Sequence, residues 1–254
     1  MDPRVIRLEP YPAQRTDAWW VGPLLTAIAL VAFFAYAVWA ALQNGNYYAA
    51  PYLSPFYSPC IAASCTHVSV PLIGSWWTLS PALLVLWIPG GFRATCYYYR
   101  KAYYRSLFRW PVACAIPDAS KDYRGEARFP FVLQNLHRYF FYLTLPILAF
   151  LWRDALHAFR FADGVGLGLG TIVLCANAGL LTLYCLSCNS CRHACGGHLD
   201  SFRAAPLRSR AWKIVSRLNG KHGEFGWVSL ASVVIADLYV RLLSMGLIHD
   251  PRLF

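Results

Sequence analysis

The chain has 254 residues, of which 57% are hydrophobic and 14% charged, and its formal net charge is +11. Its mean hydropathy of +0.39 is too high for an ordinary soluble domain and indicates an integral membrane protein. In such a protein positive charge marks cytoplasmic loops and attracts acidic membrane lipid, so nucleic acid is not expected as a partner.

Five apolar segments each have about the 20 residues that a helix needs to cross a bilayer. They are residues 19–42, 76–94, 134–152, 165–186 and 225–247. Residues 1–18 are expected to form a cytoplasmic arm, and residues 95–133 and 187–224 to form loops. The sequence therefore predicts one all-α integral membrane domain, a five-transmembrane-helix bundle.

The distribution of Lys and Arg predicts the orientation of this bundle. The segments 95–133 and 187–224 carry seven Lys or Arg residues each, whereas residues 44–75 carry none. Because positively charged loops stay on the cytoplasmic side, both basic loops and the N-terminus should face the cytoplasm and the C-terminus should lie outside. We expect a multi-pass protein of the cell inner (plasma) membrane.

The segment from Cys185 to Cys195 contains four of the nine cysteines. Its spacing, Cys-x2-Cys-x2-Cys-x3-Cys, formally matches a run that binds iron-sulfur clusters in bacterial ferredoxins. On a regular helix only one adjacent pair, Cys188 and Cys191, would easily hold one metal, so further ligands must come from elsewhere. The alternative is that these cysteines are small apolar packing residues.

Histidines from two other segments are candidates to complete the site. His137 begins the third predicted span and His222 precedes the fifth, both at the cytoplasmic side. Two Cys and two His form the ligand set of a Rieske-type centre, and they also satisfy a closed zinc site. A haem with His137 and His222 as axial ligands is a further alternative, and His193 is the nearest rival imidazole.

Two other pairs have both a structural and a functional interpretation. Cys60 and Cys65 lie in the outer loop, where a local disulfide is allowed, and bridged or free thiols are equally expected. Asp237 and Arg241 are four residues apart in the fifth span and can pair on one helix. Such a pair at membrane depth is either a structural ion pair or the coupling site of an unrelated transporter.

Six sequence motifs, distributed over nearly the whole chain, point to one family. They are residues 54–60 (SPFYSPC), 95–106 (TCYYYRKAYYRS), 128–130 (RFP), 134–142 (QNLHRYFFY), 187–193 (SCNSCRH) and 218–222 (LNGKH). Together they resemble the membrane anchor of actinobacterial succinate dehydrogenase, the mycobacterial type 1 enzyme.

The resemblance implies a complex II whose flavoprotein subunit oxidises succinate at FAD and whose iron-sulfur subunit relays electrons through three clusters. The anchor would carry a Rieske-type [2Fe-2S] cluster in place of haem and reduce menaquinone, and it would have no succinate activity alone. The implied ligands are Cys188, Cys191, His137 and His222, while His193, Cys96 and Cys114 stay open as alternates. A passive anchor with zinc or without metal is the alternative within the same complex.

The resemblance also leads to expectations about partners. The two soluble subunits should dock on the basic loops, at residues 96–109 and 208–221, and the complex can form a higher oligomer. The quinone ring needs donors to its carbonyls in a dry slot near the cytoplasmic side. The candidates at this depth are Trp227, Ser229, Arg138, Tyr139 and Tyr98.

Overall fold

The computed structural model describes residues 16–59, 70–73, 77–111, 113–114, 116, 127–129, 131–197 and 199–254. The helices are α1 (Val21–Gln43), α2 (Pro81–Thr95), α3 (Tyr97–Tyr103), α4 (His137–His157), α5 (Leu169–Leu186), α6 (Asn189–Gly196), α7 (Pro206–Asn219) and α8 (His222–Ser244). Short strands form three antiparallel hairpins, β1 (Tyr48–Ala49) with β2 (Tyr52–Leu53), β3 (Val70–Ile73) with β4 (Trp77–Leu79), and β5 (Arg160–Phe161) with β6 (Gly164–Val165). The described part of the chain is therefore mainly helical.

Four helical segments of this part are long and apolar enough to cross a membrane. They are Val21–Gln43, Phe131–His157, Leu169–Leu186 and His222–Ser244, where the second begins with a 3-10 turn that leads into α4. These four correspond, within a few residues, to predicted spans. They confirm that the chain is a membrane protein.

The remaining predicted span, residues 76–94, is not confirmed as a crossing of full length. Its helix α2 has only 15 residues, which at about 1.5 Å per residue gives about 22 Å, less than the roughly 30 Å of a hydrocarbon core. The helix starts late because Trp77–Leu79 pairs as a strand with Val70–Ile73. Pro81 then occupies the first helical turn, where its missing N–H costs nothing.

Helices α1, α2, α4, α5 and α8 run in alternating directions, so their ends lie in two layers. In one layer the end of α2 meets the start of α4, where the Thr95 hydroxyl lies 2.9 Å from the His137 ring. In the opposite layer Ser80, which precedes α2, contacts the Tyr57 hydroxyl, and that hydroxyl donates to the backbone at the end of α1. We call the first layer the basic end and the second the hairpin end.

The apolar residues of α1 point mostly outward rather than into a core. Leu25, Val31 and Phe34 are each more than half exposed. This distribution is typical of a helix that faces lipid, because lipid tails solvate apolar side chains. The inner layer is instead formed by α5 and α8, which pack closely against each other.

The predicted pair of Asp237 and Arg241 is confirmed at the hairpin end. The Arg241 Nε atom lies 2.7 Å from the Asp237 Oδ2 atom, and both side chains are fully buried. The other donors of Arg241 bind the backbone carbonyls of Ala40 and Gly45 at 2.9 and 3.0 Å. An ion pair that is hydrogen-bonded on every side has a structural role in fastening α1 to α8.

The predicted basic loops contain helices of their own. α3 and a π-helical turn, Tyr104–Phe108, follow α2 directly. In the second loop, α6 packs against α7, and α7 begins with Pro206 in its first turn. The described parts of both loops therefore form a folded layer at the basic end.

Candidate metal centre

Four metal-type side chains from separate parts of the chain meet at the basic end. Cys96 lies between α2 and α3, His137 begins α4, Cys188 precedes α6, and His222 begins α8. Cys96 and Cys188 are each 1% exposed and His222 is 2% exposed. We call these four residues the thiol–imidazole centre.

The centre consists of two pairs, each formed by one thiol and one imidazole. The His137 Nε2 atom lies 3.1 Å from the Cys188 sulfur, and the His222 Nε2 atom lies 3.3 Å from the Cys96 sulfur. Both imidazoles therefore face a thiol with the same ring nitrogen.

The opposite nitrogen of each imidazole is held by a hydroxyl group. Nδ1 of His137 lies 2.9 Å from Thr95 Oγ1, and Nδ1 of His222 lies 2.7 Å from Ser187 Oγ. The Thr95 hydroxyl donates its proton to the Gly91 carbonyl, and that of Ser187 donates to the Tyr184 carbonyl. With each hydroxyl proton given to its carbonyl, the hydroxyl oxygen accepts from Nδ1–H and Nε2 keeps a lone pair toward the thiol.

Aromatic rings cover both imidazoles. Phe92 stacks on His137 and Tyr184 stacks on His222, each with ring centroids 4.9 Å apart and nearly parallel planes. Phe92 and Tyr184 also contact each other edge to face at 5.3 Å. The two pairs therefore share one apolar shell, which keeps water away from the thiols and the imidazoles.

Burial keeps the Cys188 thiol protonated when no metal is bound. It raises the pKa of Cys188 to about 11, and the Ser190 amide, 3.4 Å from the sulfur, offsets only part of this shift. The neighbouring Cys96 thiol raises the pKa of Cys188 further. A positively charged metal would favour the thiolate form, because metal binding displaces the thiol proton.

The donor set fits a Rieske-type cluster in its chemistry. Among the described residues no three Cys, His, Asp or Glu side chains converge on one point as a single-metal site. The donors stand instead as two adjacent pairs with two sulfur and two nitrogen ligands in total. This is the complement of a two-iron Rieske centre, in which two Cys and two His share the ligation.

Comparisons with known proteins agree on one family. A family model described as actinobacterial succinate dehydrogenase subunit SdhC matches residues 21–246. The chain belongs to this SdhC family. A solved chain of the Mycobacterium smegmatis Sdh1 complex in the apo form is 42% identical, with 100% of this chain and 98% of that chain covered and a TM-score of 0.87. No curated protein matches.

The family confirms the resemblance that the sequence motifs indicated, and the chain is a membrane anchor subunit of succinate dehydrogenase. Three of the four ligands predicted for this anchor, His137, His222 and Cys188, lie in the thiol–imidazole centre. The fourth predicted ligand, Cys191, lies in the same buried cluster, and the Cys96 sulfur, which the sequence offered as an alternate, faces His222.

The other candidate ligands of this SdhC-family chain have surroundings different from those of the two thiols that face the imidazoles. Cys191 is buried, and its thiol faces Cys195 one helical turn further along α6. His193 contacts the Arg138 side chain, and Cys114 is exposed. Cys60 and Cys65 lie outside the described residues.

The five residues predicted to contact quinone are distributed over helices α3, α4 and α8. Ser229 is buried and accepts a hydrogen bond of 3.0 Å from Arg93. Tyr98 contacts the edge of the His222 ring, and Trp227 packs against Tyr99. Arg138 and Tyr139 lie instead on the exposed side of α4.

Arg93 is the polar residue of this region that the sequence reasoning missed. Its guanidinium contacts the Tyr99 hydroxyl and the Gly226 carbonyl, and its carbon atom lies 4.8 Å from the centroid of the Tyr184 ring. Position 93 lies within an otherwise apolar predicted span. A charged residue at membrane depth is a candidate functional residue, so the sequence could have singled out Arg93.

Proposed function

We propose that this SdhC-family chain is the redox-active membrane anchor of a succinate:quinone oxidoreductase in the plasma membrane. In this proposal the thiol–imidazole centre holds a Rieske-type [2Fe-2S] cluster, and electrons pass from there to menaquinone. The observation that carries it is the matched state of His137 and His222. Each has its Nε2 atom beside a buried thiol and its Nδ1 atom beside a hydroxyl, the position that second-shell partners occupy at metal-bound histidines.

In this proposal Cys96 and Cys188 would supply the two thiolate ligands, and His137 and His222 would supply the two imidazole ligands. When bound, such a cluster supplies a one-electron carrier whose potential lies well above that of an all-cysteine cluster. The chain's own contribution is to hold the four donors, to exclude water with Phe92 and to keep both imidazoles in one tautomer. Two electrons from succinate and two protons convert one quinone into quinol.

Likeness to the Mycobacterium smegmatis Sdh1 complex supports the proposed partners. These are a flavoprotein with FAD and an iron-sulfur subunit with three clusters, docked on the basic end. The outer face of α7 suits this role, because Arg210, Lys213 and Arg217 are exposed beside the apolar Leu207 and Ile214. Such a face can bind an acidic surface that has an apolar centre.

Electron paramagnetic resonance of the purified complex, with quantification of iron, zinc and haem, tests the proposal. We expect a [2Fe-2S] signal of low average g-value that is absent after Cys96→Ser or Cys188→Ser. Cys191→Ser is the matched comparison, because Cys191 is also buried in this region, while the thiols hydrogen-bonded to the imidazoles among the described residues are Cys96 and Cys188. In that variant the signal and the iron content should remain.

Three results would contradict the proposal or part of it. Loss of the signal in Cys191→Ser with retention in Cys96→Ser would return Cys191 to the ligand set. Haem absorbance that depends on His137 and His222 would assign them as axial ligands. Zinc without iron would make the thiol–imidazole centre a structural site in a passive anchor.

A further inference from the structure

Tyr184, in the last turn of α5, carries a buried hydroxyl group that the chain leaves unpaired. Its side chain is 1% exposed, and its hydroxyl oxygen has no hydrogen-bond partner of normal geometry among the described residues. A buried hydroxyl without a partner destabilises a fold, so such groups are uncommon in proteins and indicate a specific role. The Tyr184 hydroxyl is therefore a hydrogen-bond donor without an acceptor.

The Tyr184 ring brings this hydroxyl to the thiol–imidazole centre. The ring stacks on that of His222 with the two planes 9° apart, and the His222 Nε2 atom lies 3.3 Å from the Cys96 sulfur. Cys96 and Tyr184 belong to one buried cluster, and the thiol interacts with the phenol without forming a hydrogen bond of normal geometry. A neutral thiol is a weak acceptor, so it leaves the phenol unsatisfied.

Tyr99 provides a comparison within the same aromatic shell. It is 6% exposed, and its ring contacts that of Tyr184 edge to face with centroids 6.0 Å apart. Its hydroxyl, however, donates to the Gly226 carbonyl at 2.6 Å. Of these two neighbouring buried phenols, that of Tyr99 has used its proton within the chain and that of Tyr184 has not.

We infer that the Tyr184 hydroxyl donates a hydrogen bond to the Cys96 sulfur when metal binding converts that thiol into a thiolate. Metal binding displaces the thiol proton, and a hydrogen bond to an ionised acceptor is roughly twice as strong as one to a neutral acceptor. Arg93 helps to hold the donor, because its guanidinium carbon lies 4.8 Å from the centroid of the Tyr184 ring. Tyr184 is thus a positioning residue that acts on the metal through Cys96.

The inference rests on the proposed function, in which Cys96 is a thiolate ligand of a Rieske-type cluster. Reduction adds one electron to such a cluster, and hydrogen bonds to its sulfur atoms help to set its potential. The Tyr184 hydroxyl stabilises the added negative charge, so it raises the midpoint potential while the phenol keeps its proton. As a partner of a metal ligand, it also slows the loss of the metal.

The experiment compares Tyr184→Phe with Tyr99→Phe in the purified complex, by redox titration followed through the paramagnetic signal of the cluster. Each variant removes one buried phenolic hydroxyl and keeps the ring, but only the first removes the inferred donor. At the wild-type midpoint potential we expect the ratio of reduced to oxidised cluster to fall about tenfold in Tyr184→Phe, a shift of about 59 mV for one electron. Tyr99→Phe should match the wild type.

The rate of metal release to a chelator is the second measurement. We expect it to increase about tenfold in Tyr184→Phe and to stay at the wild-type value in Tyr99→Phe, since loss of a partner of a metal ligand lowers metal affinity about 10- to 100-fold. Because the Tyr184 hydroxyl has no partner before metal binds, its removal should not hinder folding.

The outcomes distinguish failure of this inference from failure of the proposed function. An unchanged midpoint potential in Tyr184→Phe, with the cluster signal intact, overturns the inference alone. Equal shifts in Tyr184→Phe and Tyr99→Phe also overturn it, because they assign the effect to packing of the aromatic shell. A wild-type complex that holds zinc without iron refutes the proposed function, and zinc release from the two variants then tests the hydrogen bond to Cys96 by itself.

Discussion

The bundle buries a polar cluster of special interest at each end, and these two clusters satisfy their polar atoms in opposite ways. At the hairpin end, one Asp237 oxygen accepts from Tyr36 at 2.6 Å and from Arg241 at 2.7 Å, and the other accepts from Ser54. We call these four residues the ion-pair network. The hydrogen bonds of its carboxylate and its guanidinium are made within the chain, so it needs no ligand.

The polar atoms of the thiol–imidazole centre are less fully hydrogen-bonded within the chain. Its hydroxyls hold one side of each imidazole, but the Nε2 atoms of His137 and His222 face thiols, which are weak hydrogen-bonding groups. The apolar shell then makes the same atoms inaccessible to water. A buried polar cluster that is complete fastens helices together, whereas one that leaves strong ligand atoms poorly matched is prepared for a metal.

The largest effect is expected from breaking the ion-pair network. Asp237→Asn would leave the buried Arg241 without its counter-charge, and loss of one partner of a buried pair costs about 3–5 kcal/mol. The thermal unfolding midpoint of the purified complex should fall sharply. Protein that remains folded should keep its iron, because the network lies at the opposite end of the bundle from the centre.

A double variant distinguishes loss of the pair from loss of the unpaired charge. Asp237→Asn combined with Arg241→Met removes both charges and should recover much of the lost stability. An unfolding midpoint of the single variant equal to that of the wild type would contradict a fastening role for this network. Equal losses in the single and double variants would assign the effect to packing instead of charge.

A smaller effect is expected from loosening the imidazoles. Thr95→Val and Ser187→Ala each remove a hydroxyl that holds Nδ1, and loss of a second-shell partner lowers metal affinity about 10- to 100-fold. The rate of iron release to a chelator should increase accordingly, while the unfolding midpoint changes little.

Thr144→Val is the control for this measurement. The Thr144 hydroxyl is also buried in a helix, but it bonds only to the carbonyl of Phe140 in its own helix. Iron release from this variant should match the wild type. A similar acceleration in all three variants would show that helix packing, and not imidazole orientation, controls the retention of iron.

The spacing of the cysteines predicted only part of the centre. That prediction assumed one continuous helix, whereas the helix is interrupted between α5 and α6. α5 ends at Leu186, and Cys188 has the extended angles φ −68° and ψ 145° before α6 begins. This break turns Cys188 toward His137, and the restarted helix directs Cys191 toward Cys195. Cys96 is remote in sequence and has no local motif, so only the packing of α2 against α4 and α8 could place it.

Hydropathy was informative where apolar residues face lipid and misleading where they pair as strands. α1 and α8 have nearly their predicted bounds, since a long apolar helix is the way to satisfy backbone groups in lipid. The apolar Trp77–Leu79 counts equally toward a span, but it forms ladder bonds with Val70–Ile73. A hydropathy window counts only residue composition. It therefore cannot distinguish a helix that spans the membrane from a strand that pairs with another strand.

The smallest effect is expected at the exposed pair of Asp163 and Arg252, which has the same chemistry as the buried one. Their atoms lie 2.5 Å apart, yet Arg252 also donates to the Phe254 carbonyl and packs over Phe161. Because water solvates either charge after the other is removed, Asp163→Asn should leave the unfolding midpoint unchanged within error.

The pH dependence of this pair follows from the same chemistry. The hydrogen bonds from Arg252 lower the pKa of Asp163. Any contribution of the pair is therefore complete above the usual carboxylate pKa and is lost as the pH falls through the lowered value. Unfolding of wild type and Asp163→Asn at pH 7 and in acid, at low and high salt, measures it. A midpoint loss as large as that of Asp237→Asn would show that burial is not what separates the two pairs.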